Sequence, residues 1–562
     1  MKRSWKYSNA IIFALSLILI VPITSKNTVR ASERPLGNIV ESLLEAEAVH
    51  VQRNLFKLAA GKHHYVTGYR TLNETMAAIS EPGGLDFRTV SLDDPELENV
   101  IRMGTFNEHA SDRRKSGKGD LSFTGSNFQG LTHVIGSHLG IVTRPVTAGK
   151  RLFFLVYDTL KDTIGWPAIS AAAKRVILEL PGSGTMDLKA WEQRLDDMTG
   201  SKTSYGTLDF LVDGKEFFPR FFNAVEGASR SVHIRTYIFD NDDFAVNVAD
   251  TLKERSNEVD VKVLLDGLGT IMATAVRPET LPPGYEPPGS VRDYLTSGSR
   301  VRVRQQLNPW FTGDHSKTVI VDNERAFIGG MNFGREYRYE WHDLMVEVNG
   351  QVVGDIADNF GKAWAGGGFL GDIESFFYSL KTRIKKDPDQ GYPVRLLYTK
   401  PGASEIRNTQ LEAIRRSRSY IYLENPYLTD DRVLNELVKA SRRGVDVKVV
   451  LPEDAESGVI NRSNVLAANR MLKNGIEVYL LPYMSHVKAA IYDGWACFGS
   501  ANFDKLSFRV NYEVNLATSH ESAVQDLIDR LFIPDFEASL KLMEELPVQA
   551  YDFLLELAAD QL

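Results

Sequence analysis

Two stretches of the chain repeat one order of hydrophobic and polar positions. The first runs from Phe221 to Asp266 and the second from Leu411 to Leu451. In each, apolar residues at helical spacing lead into a short apolar run, and a second helical stretch ends before the sequence Asp-Val-Lys-Val. A pattern that recurs within one chain is typical of a duplicated structural unit. Each copy therefore predicts a helix, a strand, a second helix and a second strand.

The predicted strands are short, rich in β-branched residues and apolar on both faces. Such strands belong in a sheet that helices cover on both sides. We therefore predict an α/β fold of two pseudo-symmetric α/β/α sandwich halves. The first half covers residues 206–384, and the second covers residues 392–562 and ends in C-terminal helices. The segment Lys385–Gly391 is the predicted connector, and a site would lie where the two halves meet.

The region before the repeat, residues 32–205, does not share this pattern, and its role is open. Within it we expect a strand from Leu152 to Tyr157 and a helix from Leu188 to Met198. The tail from Glu521 to Leu562 is predicted to be helical and amphipathic. Since its polar face is acidic, packing against the domain is favoured over binding to a membrane surface.

The first 31 residues have the pattern of a targeting segment. A basic start is followed by an apolar run from Ala10 to Val21 and by small residues suited to cleavage before Ser32. We expect an exported protein, periplasmic or secreted. An uncleaved N-terminal anchor is the alternative, because the uncharged stretch is close to the length that spans a bilayer.

Composition narrows the classes of partner. The chain of 562 residues carries 65 Lys and Arg against 73 Asp and Glu, a formal charge of −8. Proteins that bind nucleic acid usually carry a basic surplus, so a nucleic acid partner is disfavoured. The single cysteine, Cys497, excludes an intramolecular disulfide and lies in an apolar run where a buried thiol is expected.

Each half carries one copy of a His-x-Lys-x4-Asp motif, followed at a fixed distance by a small residue and an asparagine. A single copy occurs by chance, and a lone histidine on an apolar strand is more often part of a core. Two copies within two similar halves are difficult to produce by chance. The candidate catalytic residues are His315, Lys317, Asp322 and Asn332 in the first half and His486, Lys488, Asp493 and Asn502 in the second.

The local geometry expected for these motifs is a β-hairpin. Alternation along a strand places His315 and Lys317 on one face. A turn after the aspartate reverses the chain, and the next strand returns beside the histidine. The small residues Gly330 and Ser500 are candidate substrate-binding positions, because they would let backbone or hydroxyl donors approach a ligand closely.

These residue types suit displacement at a phosphodiester. Lysines and amide donors stabilise the charge on the phosphate oxygens. One imidazole can attack phosphorus, and a second can protonate the leaving alcohol and later deprotonate the incoming one. No cofactor is required by this chemistry, and the sequence shows no cluster with the spacing of a metal site.

A nucleophilic histidine also needs a carboxylate on its far ring nitrogen. Asp343 and Glu513 follow the two motif histidines at nearly equal distances, so we predict that they are the orienting acids. Asp322 and Asp493 are interpreted as structural residues that hold the turns through backbone and lysine contacts. His342 is expected to point outward as a neighbour of Asp343.

The duplicated motif resembles that of the phospholipase D superfamily, defined by its HKD motif, over about Leu208 to Leu540. Within the superfamily the chain looks most like bacterial cardiolipin synthases. The resemblance implies two α/β/α halves with the site between them, a nucleophilic first-half histidine and an acidic second-half histidine. It also implies replacement of the leaving headgroup by water or another alcohol. Residues 32–205 have no counterpart in such synthases.

We therefore expect an enzyme that hydrolyses or transfers glycerophospholipid headgroups at a membrane surface, with water or an alcohol as acceptor. The alternatives are an endonuclease of the same superfamily and a catalytically silent scaffold. Aromatic residues near the motifs would form an apolar wall for the lipid, with the alternative that half of them are core residues. They are Trp310, Phe311, Phe333, Tyr337, Tyr339, Tyr427, Tyr483 and Phe503.

Overall fold

The computed structural model describes residues 144–154, 157, 184–200, 202–270, 281–282, 284–306, 308, 312–380, 391–455 and 458–549. The N-terminal targeting segment, most of the region over residues 32–205, most of the connector and the end of the tail lie outside these residues. The predictions made for them stay predictions.

The first half alternates strands and helices, as the hydrophobic pattern predicts. A helix, α1 (Leu188–Met198), precedes it. The elements that follow are β1 (Ser204–Val212), α2 (Asp213–Glu226), β2 (Ser231–Thr236), α3 (Asp243–Arg255), β3 (Asp260–Asp266), α4 (Val291–Thr296), β4 (Arg302–Gln306), β5 (Thr318–Val321), β6 (Arg325–Gly329), α5 (Arg335–Tyr339), β7 (Leu344–Asn349), α6 (Val352–Gly366) and α7 (Gly371–Ser379).

The second half repeats this order. Its elements are β8 (Tyr392–Lys400), β9 (Ala403–Ser404), α8 (Glu405–Arg416), β10 (Tyr420–Glu424), α9 (Asp431–Arg442), β11 (Asp446–Pro452), α10 (Gly458–Leu472), β12 (Glu477–Leu481), β13 (Ala489–Tyr492), β14 (Trp495–Gly499), α11 (Lys505–Arg509), β15 (Glu513–Thr518), α12 (Glu521–Leu527), a π-helical turn (Ile528–Phe532), α13 (Ile533–Ala538) and β16 (Leu540–Lys541).

The strands form one mixed sheet whose order reflects the duplication. It runs β16-β12-β11-β10-β13-β14-β15-β8-β1-β7-β6-β5-β2-β3-β4, with β9 paired to β8. In each half two strands joined by a helix pair in parallel, β2 with β3 and β10 with β11. The halves join where Ser204–Gly206 of β1 pair with residues 392–394 of β8. The α/β prediction with two related halves is confirmed.

Two hairpins with tight turns carry the motif aspartates. One joins β5 to β6 and the other joins β13 to β14. Asp322 and Asn323 have φ of 56° and 55°, and Asp493 and Gly494 have φ of 49° and 95°. Positive φ at both central residues is the backbone of a type I′ turn, which matches the twist of the flanking strands. The predicted reversal after each aspartate is present.

Three buried clusters fill the fold. One lies in the first half, around Phe218 and Val263, and another lies in the second half, around Leu437 and Val449. The third draws side chains from both halves, and in it the rings of Phe210 and Phe498 meet edge to face at 5.1 Å. Because aromatic burial contributes strongly to core energies, this shared core fixes the halves against each other.

The region before the repeat differs in part from its sequence prediction. The helix over Leu188–Met198 is confirmed. The expected strand from Leu152 to Tyr157 is wrong, because residues 145–154 are helical. Burial explains the error. Arg151 on this helix is 1% exposed and donates to Thr312, so tertiary contacts override the local β-propensity.

The predicted C-terminal helices are present from Glu521 to Ala538. The prediction of a helical tail is wrong for residues 539–549, where the chain forms the short strand β16, paired with β12, and irregular structure. Among the described residues, no helix combines the length and the apolar character needed to cross a bilayer.

Candidate active site

His315 is held at its Nδ1 atom by an acid of the other half. Nδ1 lies 3.0 Å from Oε1 of Glu513 and 3.1 Å from the carbonyl oxygen of Ser500. The Glu513 side chain is fully buried, whereas 12% of the His315 side chain is exposed. With Nδ1 engaged in this way, the chemistry of the ring is left to Nε2.

His486 has the equivalent arrangement with the acid of the first half. Its Nδ1 lies 2.7 Å from Oδ2 of Asp343, whose side chain is fully buried. The sequence predicted two orienting acids without saying which histidine each would serve. The structure shows that the pairs cross between the halves. Neither half alone therefore contains a complete histidine–acid pair.

Backbone hydrogen bonds enforce the crossing. The amide of His315 donates to the carbonyl of Tyr512, and the amide of His486 donates to the carbonyl of His342, at 2.9 and 2.7 Å. Tyr512 and His342 are the residues directly before the two acids. Each histidine segment thus runs beside the other half's acid, just before β5 or β13 begins.

The two motif lysines lie beneath the histidines. Lys317 Nζ donates to the carbonyl of His315 at 2.7 Å, and Lys488 Nζ donates to that of His486 at 2.5 Å. Both lysines are at least 98% buried. Their charges reach across the junction, since Lys488 lowers the pKa of His315 and Lys317 lowers that of His486. The four side chains therefore share one electrostatic environment.

Burial controls protonation at the site. Burial, followed by the nearby lysines, lowers the pKa of both histidines well below 6.5. Burial also raises the pKa of Asp343 to about 7 and that of Glu513 to about 8, against the lysine charges. Desolvation disfavours every charged form here. The electrostatics of the site therefore favour neutral imidazole rings over charged ones.

Asp322 and Asp493 have the structural role that the sequence predicted, although they were also candidates for catalysis. Asp322 accepts hydrogen bonds from the backbone amides of residues 229–231 and from the Ser229 hydroxyl. Asp493 accepts from the amides of residues 418–420 and of Met186. Both aspartates therefore stabilise the hairpin turns. The lysine contacts expected for them are replaced by the lysines' bonds to histidine carbonyls.

Gly330 and Ser500, which were predicted to bind substrate, lie against the two acids. A Cβ at Gly330 would overlap Oδ1 of Asp343, so only glycine leaves room for this acid. Ser500 Oγ donates to Glu513 Oε2 at 2.6 Å. The amides of Gly330 and Ser500 donate to strand carbonyls. These donors are therefore engaged within the protein.

The two motif asparagines differ. Asn332 Oδ1 accepts from the amide of Ile238 at 3.0 Å and from Thr236 Oγ1 at 3.2 Å, which braces the segment after β2. Asn502 is 5% exposed, and within the described part of the chain its Oδ1 atom lacks a hydrogen-bond partner. Only the second asparagine therefore keeps a buried polar atom uncommitted.

Three of the six predicted wall residues that the structure describes belong to the core. Phe333, Tyr337 and Phe503 are at most 3% exposed and belong to the hydrophobic clusters. Tyr339 and Tyr483 are the exposed members of the set, at 55% and 40%. Trp310 and Phe311 lie outside the described residues.

Sequence reasoning missed two aromatic residues at the site and misplaced a histidine. Tyr237 meets the His315 ring at 4.8 Å, and Trp341 meets the His486 ring at 5.3 Å. Tyr237 directly follows β2 and Trp341 lies two residues before Asp343, and these positions were the signal available. His342 does not point outward. It is 7% exposed and hydrogen-bonded at both ring nitrogens.

The chain is similar to several known proteins. A family model described as cardiolipin synthase, PLD-like domain, matches residues 221–364 and 411–532, one stretch in each half. Cardiolipin synthase of Listeria monocytogenes serotype 4a (strain HCC23) is 27% identical over 360 residues, 61% of this chain and 72% of that protein. Cardiolipin synthase A of Pseudomonas fluorescens (strain SBW25) is 28% identical over 356 residues, 60% of this chain and 69% of that protein.

A solved structure supports the fold. The crystal structure of phosphatidylserine synthase from Haemophilus influenzae Rd KW20 matches with a TM-score of 0.51 over 66% of this chain and 96% of that chain, at 12% identity. The duplicated motif, the crossed histidine–acid pairs and the family match agree. The chain belongs to the phospholipase D superfamily, within which it is similar to bacterial cardiolipin synthases.

Proposed function

We propose that this chain is a phosphatidyltransferase that exchanges glycerophospholipid headgroups through a phosphohistidine intermediate. The observation that carries the proposal is the pair of histidines, each from one half, each held at Nδ1 by the other half's buried acid. The similarity to cardiolipin synthases supports a phospholipid as the substrate class.

In the first step, Nε2 of His315 attacks the phosphorus while its Nδ1–H donates to Glu513. The bond from phosphorus to the headgroup oxygen breaks, and Nε2–H of His486 protonates that oxygen. The phosphatidyl group is then joined to His315. His315 is assigned as nucleophile because it lies in the first half, as the superfamily resemblance implies, and its side chain is the more exposed of the two.

In the second step, His486 takes the proton of an incoming alcohol or water. The oxygen of that acceptor attacks phosphorus, and the bond from phosphorus to His315 Nε2 breaks. An alcohol gives a new phospholipid, and water gives phosphatidic acid. We assign an alcohol as the preferred acceptor because the similar proteins are named as synthases.

Bound substrate changes the protonation of the site in the direction that catalysis needs. Without a phosphate, two lysines near the histidines disfavour an imidazolium. A phosphodiester anion offsets those charges and raises the histidine pKa values. His486 can then hold the proton that it delivers, while Glu513 keeps the His315 ring oriented.

We also propose that the enzyme works at a membrane surface outside the cytoplasm. The support is the export-like pattern of residues 1–31 and the amphiphilic nature of a phospholipid substrate. Fractionation of cells followed by detection of the mature N-terminus would test this part separately.

The central test uses purified enzyme with labelled phosphatidylglycerol vesicles. We expect cardiolipin and glycerol as products, and phosphatidylalkanol when a simple alcohol is added. The His315→Ala variant should lose about 10⁴-fold in kcat and form no acid-labile phosphoenzyme. His520→Ala, which removes a histidine that stacks on Tyr392 away from the site, is the matched control.

The His486→Ala variant separates the two roles. It should react slowly with natural headgroups but recover much of its rate with a p-nitrophenyl leaving group, which needs no protonation. Full activity in His315→Ala would contradict the assigned nucleophile. Cleavage of plasmid DNA in the presence of chelator, without turnover of any lipid, would favour an endonuclease instead.

A further inference from the structure

A second buried cluster of ionisable groups lies beside the site and outside the duplicated motif. At its centre is His342, whose Nδ1 is 2.7 Å from Oδ1 of Asp213 and whose Nε2 is 3.1 Å from Oδ2 of Asp535. Oε1 of Glu424 is 3.9 Å from the same Nε2 atom. The proposed reaction uses none of these four side chains.

The duplication does not demand this cluster. His342 directly precedes the acid Asp343, and Tyr512 directly precedes the acid Glu513, so the two occupy corresponding positions. The first half's histidine segment thus pairs with a tyrosine, which lies in neither of the candidate metal clusters of the described residues. The position before the acid therefore carries an imidazole in one half and a phenol in the other.

The donor atoms are spaced for a metal ion. One ligand atom each from His342, Glu424 and Asp535 lies within 4.8 Å of the other two, and all three residues are buried. Ligands bonded at about 2.0–2.1 Å to a tetrahedral zinc ion lie about 3.3 Å from one another. The observed separations of 3.1 and 3.9 Å at Nε2 bracket that value.

An unsatisfied buried oxygen gives independent support. Glu424 is fully buried, and its Oε1 accepts a hydrogen bond from Ser485 at 2.6 Å. Its Oε2 has no hydrogen-bond donor among the described residues. A buried carboxylate oxygen without a donor is costly unless a proton or a cation satisfies it.

We propose that His342, Glu424 and Asp535 bind one divalent transition-metal ion, Zn²⁺ or Mn²⁺. Asp213 then holds the far ring nitrogen of His342, the arrangement in which a carboxylate orients a histidine ligand. One imidazole with two carboxylates suits these ions better than Mg²⁺ or Ca²⁺, which prefer oxygen ligands.

A cavity next to the cluster provides a route for the ion and a place for a water ligand. It has a volume of about 290 Å³ and is lined in part by Asp213, His342, Tyr483 and Asp535. Since the Asp213 side chain is 26% exposed, the cluster approaches the surface on this side. Structural sites of this kind need such an entry path.

The other buried acidic cluster of the described residues does not share these features. Asp240, Asp242 and Glu336 also bring three carboxylates together. Both oxygens of Asp242, however, accept backbone amides, from Ala245 and Arg335, so it serves as a helix cap. This cluster contains no imidazole, which makes it a suitable internal control.

The ion would act by holding His342 in place. It would join three elements around the second-half histidine, namely β10, α13 and the segment before β7. The carbonyl of His342 accepts the amide of His486 at 2.7 Å. Fixing His342 therefore fixes the backbone of the proposed general acid, although the ion touches no reacting atom.

The test measures metal content and uses no lipid. Its outcome therefore does not depend on whether the proposed function is correct. Tag-free full-length protein is stripped with chelator, dialysed against micromolar ZnCl₂ or MnCl₂ and analysed by elemental mass spectrometry. We expect one ion per chain and a higher unfolding temperature with metal. Glu424→Gln and Asp535→Asn should lose the ion, and Asp213→Asn should bind about 10- to 100-fold more weakly.

Glu336→Gln is the matched control and should keep one ion per chain. Retention of the ion by folded Glu424→Gln and Asp535→Asn would overturn the proposal, as would its loss from Glu336→Gln. Wild-type protein that takes up no ion and shows no thermal shift would also overturn it.

Discussion

At the scale of residues, the two halves bring an acid to a histidine in different ways. In one, the shorter Asp343 reaches His486 by lying against Gly330, where no side chain could fit. In the other, the longer Glu513 is steadied by the hydroxyl of Ser500. The two small motif residues correspond in sequence, but one supplies space and the other supplies a hydrogen bond.

This difference predicts unequal effects at the two positions. Gly330→Ala should displace Asp343, release the His486 ring and lower kcat about 100-fold or more, because a misplaced catalytic group costs on that order. Ser500→Ala removes one hydrogen bond of Glu513 and should lower kcat only about tenfold. Steady-state kinetics with vesicle substrate would measure both. Equal, small losses would argue against Asp343 as the orienting acid of His486.

At the scale of elements, each hairpin is tied to the start of a neighbouring strand. Asp322 accepts the three backbone amides of residues 229–231, which lead into β2, and Asp493 does the same for the residues that lead into β10. These bonds satisfy amides that would otherwise be buried without acceptors. The aspartate of each motif therefore stabilises the hairpin that presents the histidine.

The pH dependence of stability follows from Asp322. Burial raises its pKa, but the amides of Ser229, Arg230 and Ser231 outweigh that effect and lower the pKa from 3.8 to about 2. A folded-state pKa below the unfolded one stabilises the protein above about pH 4, and this stabilisation is lost as the pH falls toward 2. The free energy of unfolding should therefore fall as the pH is lowered from about 4 to about 2.

Asp322→Asn should lower the free energy of unfolding by about 1–3 kcal/mol at neutral pH, because an amide cannot accept at both positions. The variant should also lose less stability than wild type between pH 4 and 2. Denaturant unfolding at several pH values would measure this. Asp197→Asn, on the exposed face of α1, is the control. An unchanged pH profile in Asp322→Asn would contradict the assignment.

At the scale of the whole molecule, one helix packs against the half that does not follow it in sequence. Helix α1 precedes the first half in sequence, but its Trp191 and Leu195 are buried in the core of the second half. The Trp191 ring meets Trp495 edge to face at 5.1 Å. The last part of the region over residues 32–205 is therefore structurally a part of the second half.

This packing predicts that the second half depends on α1. Trp191→Ala should destabilise the protein by about 3–5 kcal/mol through the lost burial and the cavity left behind. Lys189→Ala, at an exposed position of the same helix, should change stability by less than about 0.5 kcal/mol. Thermal or denaturant unfolding would compare the two. If both variants unfold like wild type, α1 is not part of that core.

Features that depend on neighbours along the chain could be predicted from the sequence. The period of apolar residues identified the duplicated α/β halves, and the residues after each motif lysine identified the hairpins. The residue types gave the chemistry, since imidazole, ammonium and carboxylate groups keep their properties wherever they fold. Local propensity failed at Leu152, whose helix is set by contacts made far from it in sequence.

Only the tertiary structure decided which acid serves which histidine, where α1 packs and that His342 meets Glu424 and Asp535. Glu513 is 198 residues from His315, and Asp535 is 193 residues from His342. No local pattern records such pairs, because they arise from how one sheet brings two halves together. The crossing of the pairs follows from that packing, and with it the requirement that both halves be present for one site to exist.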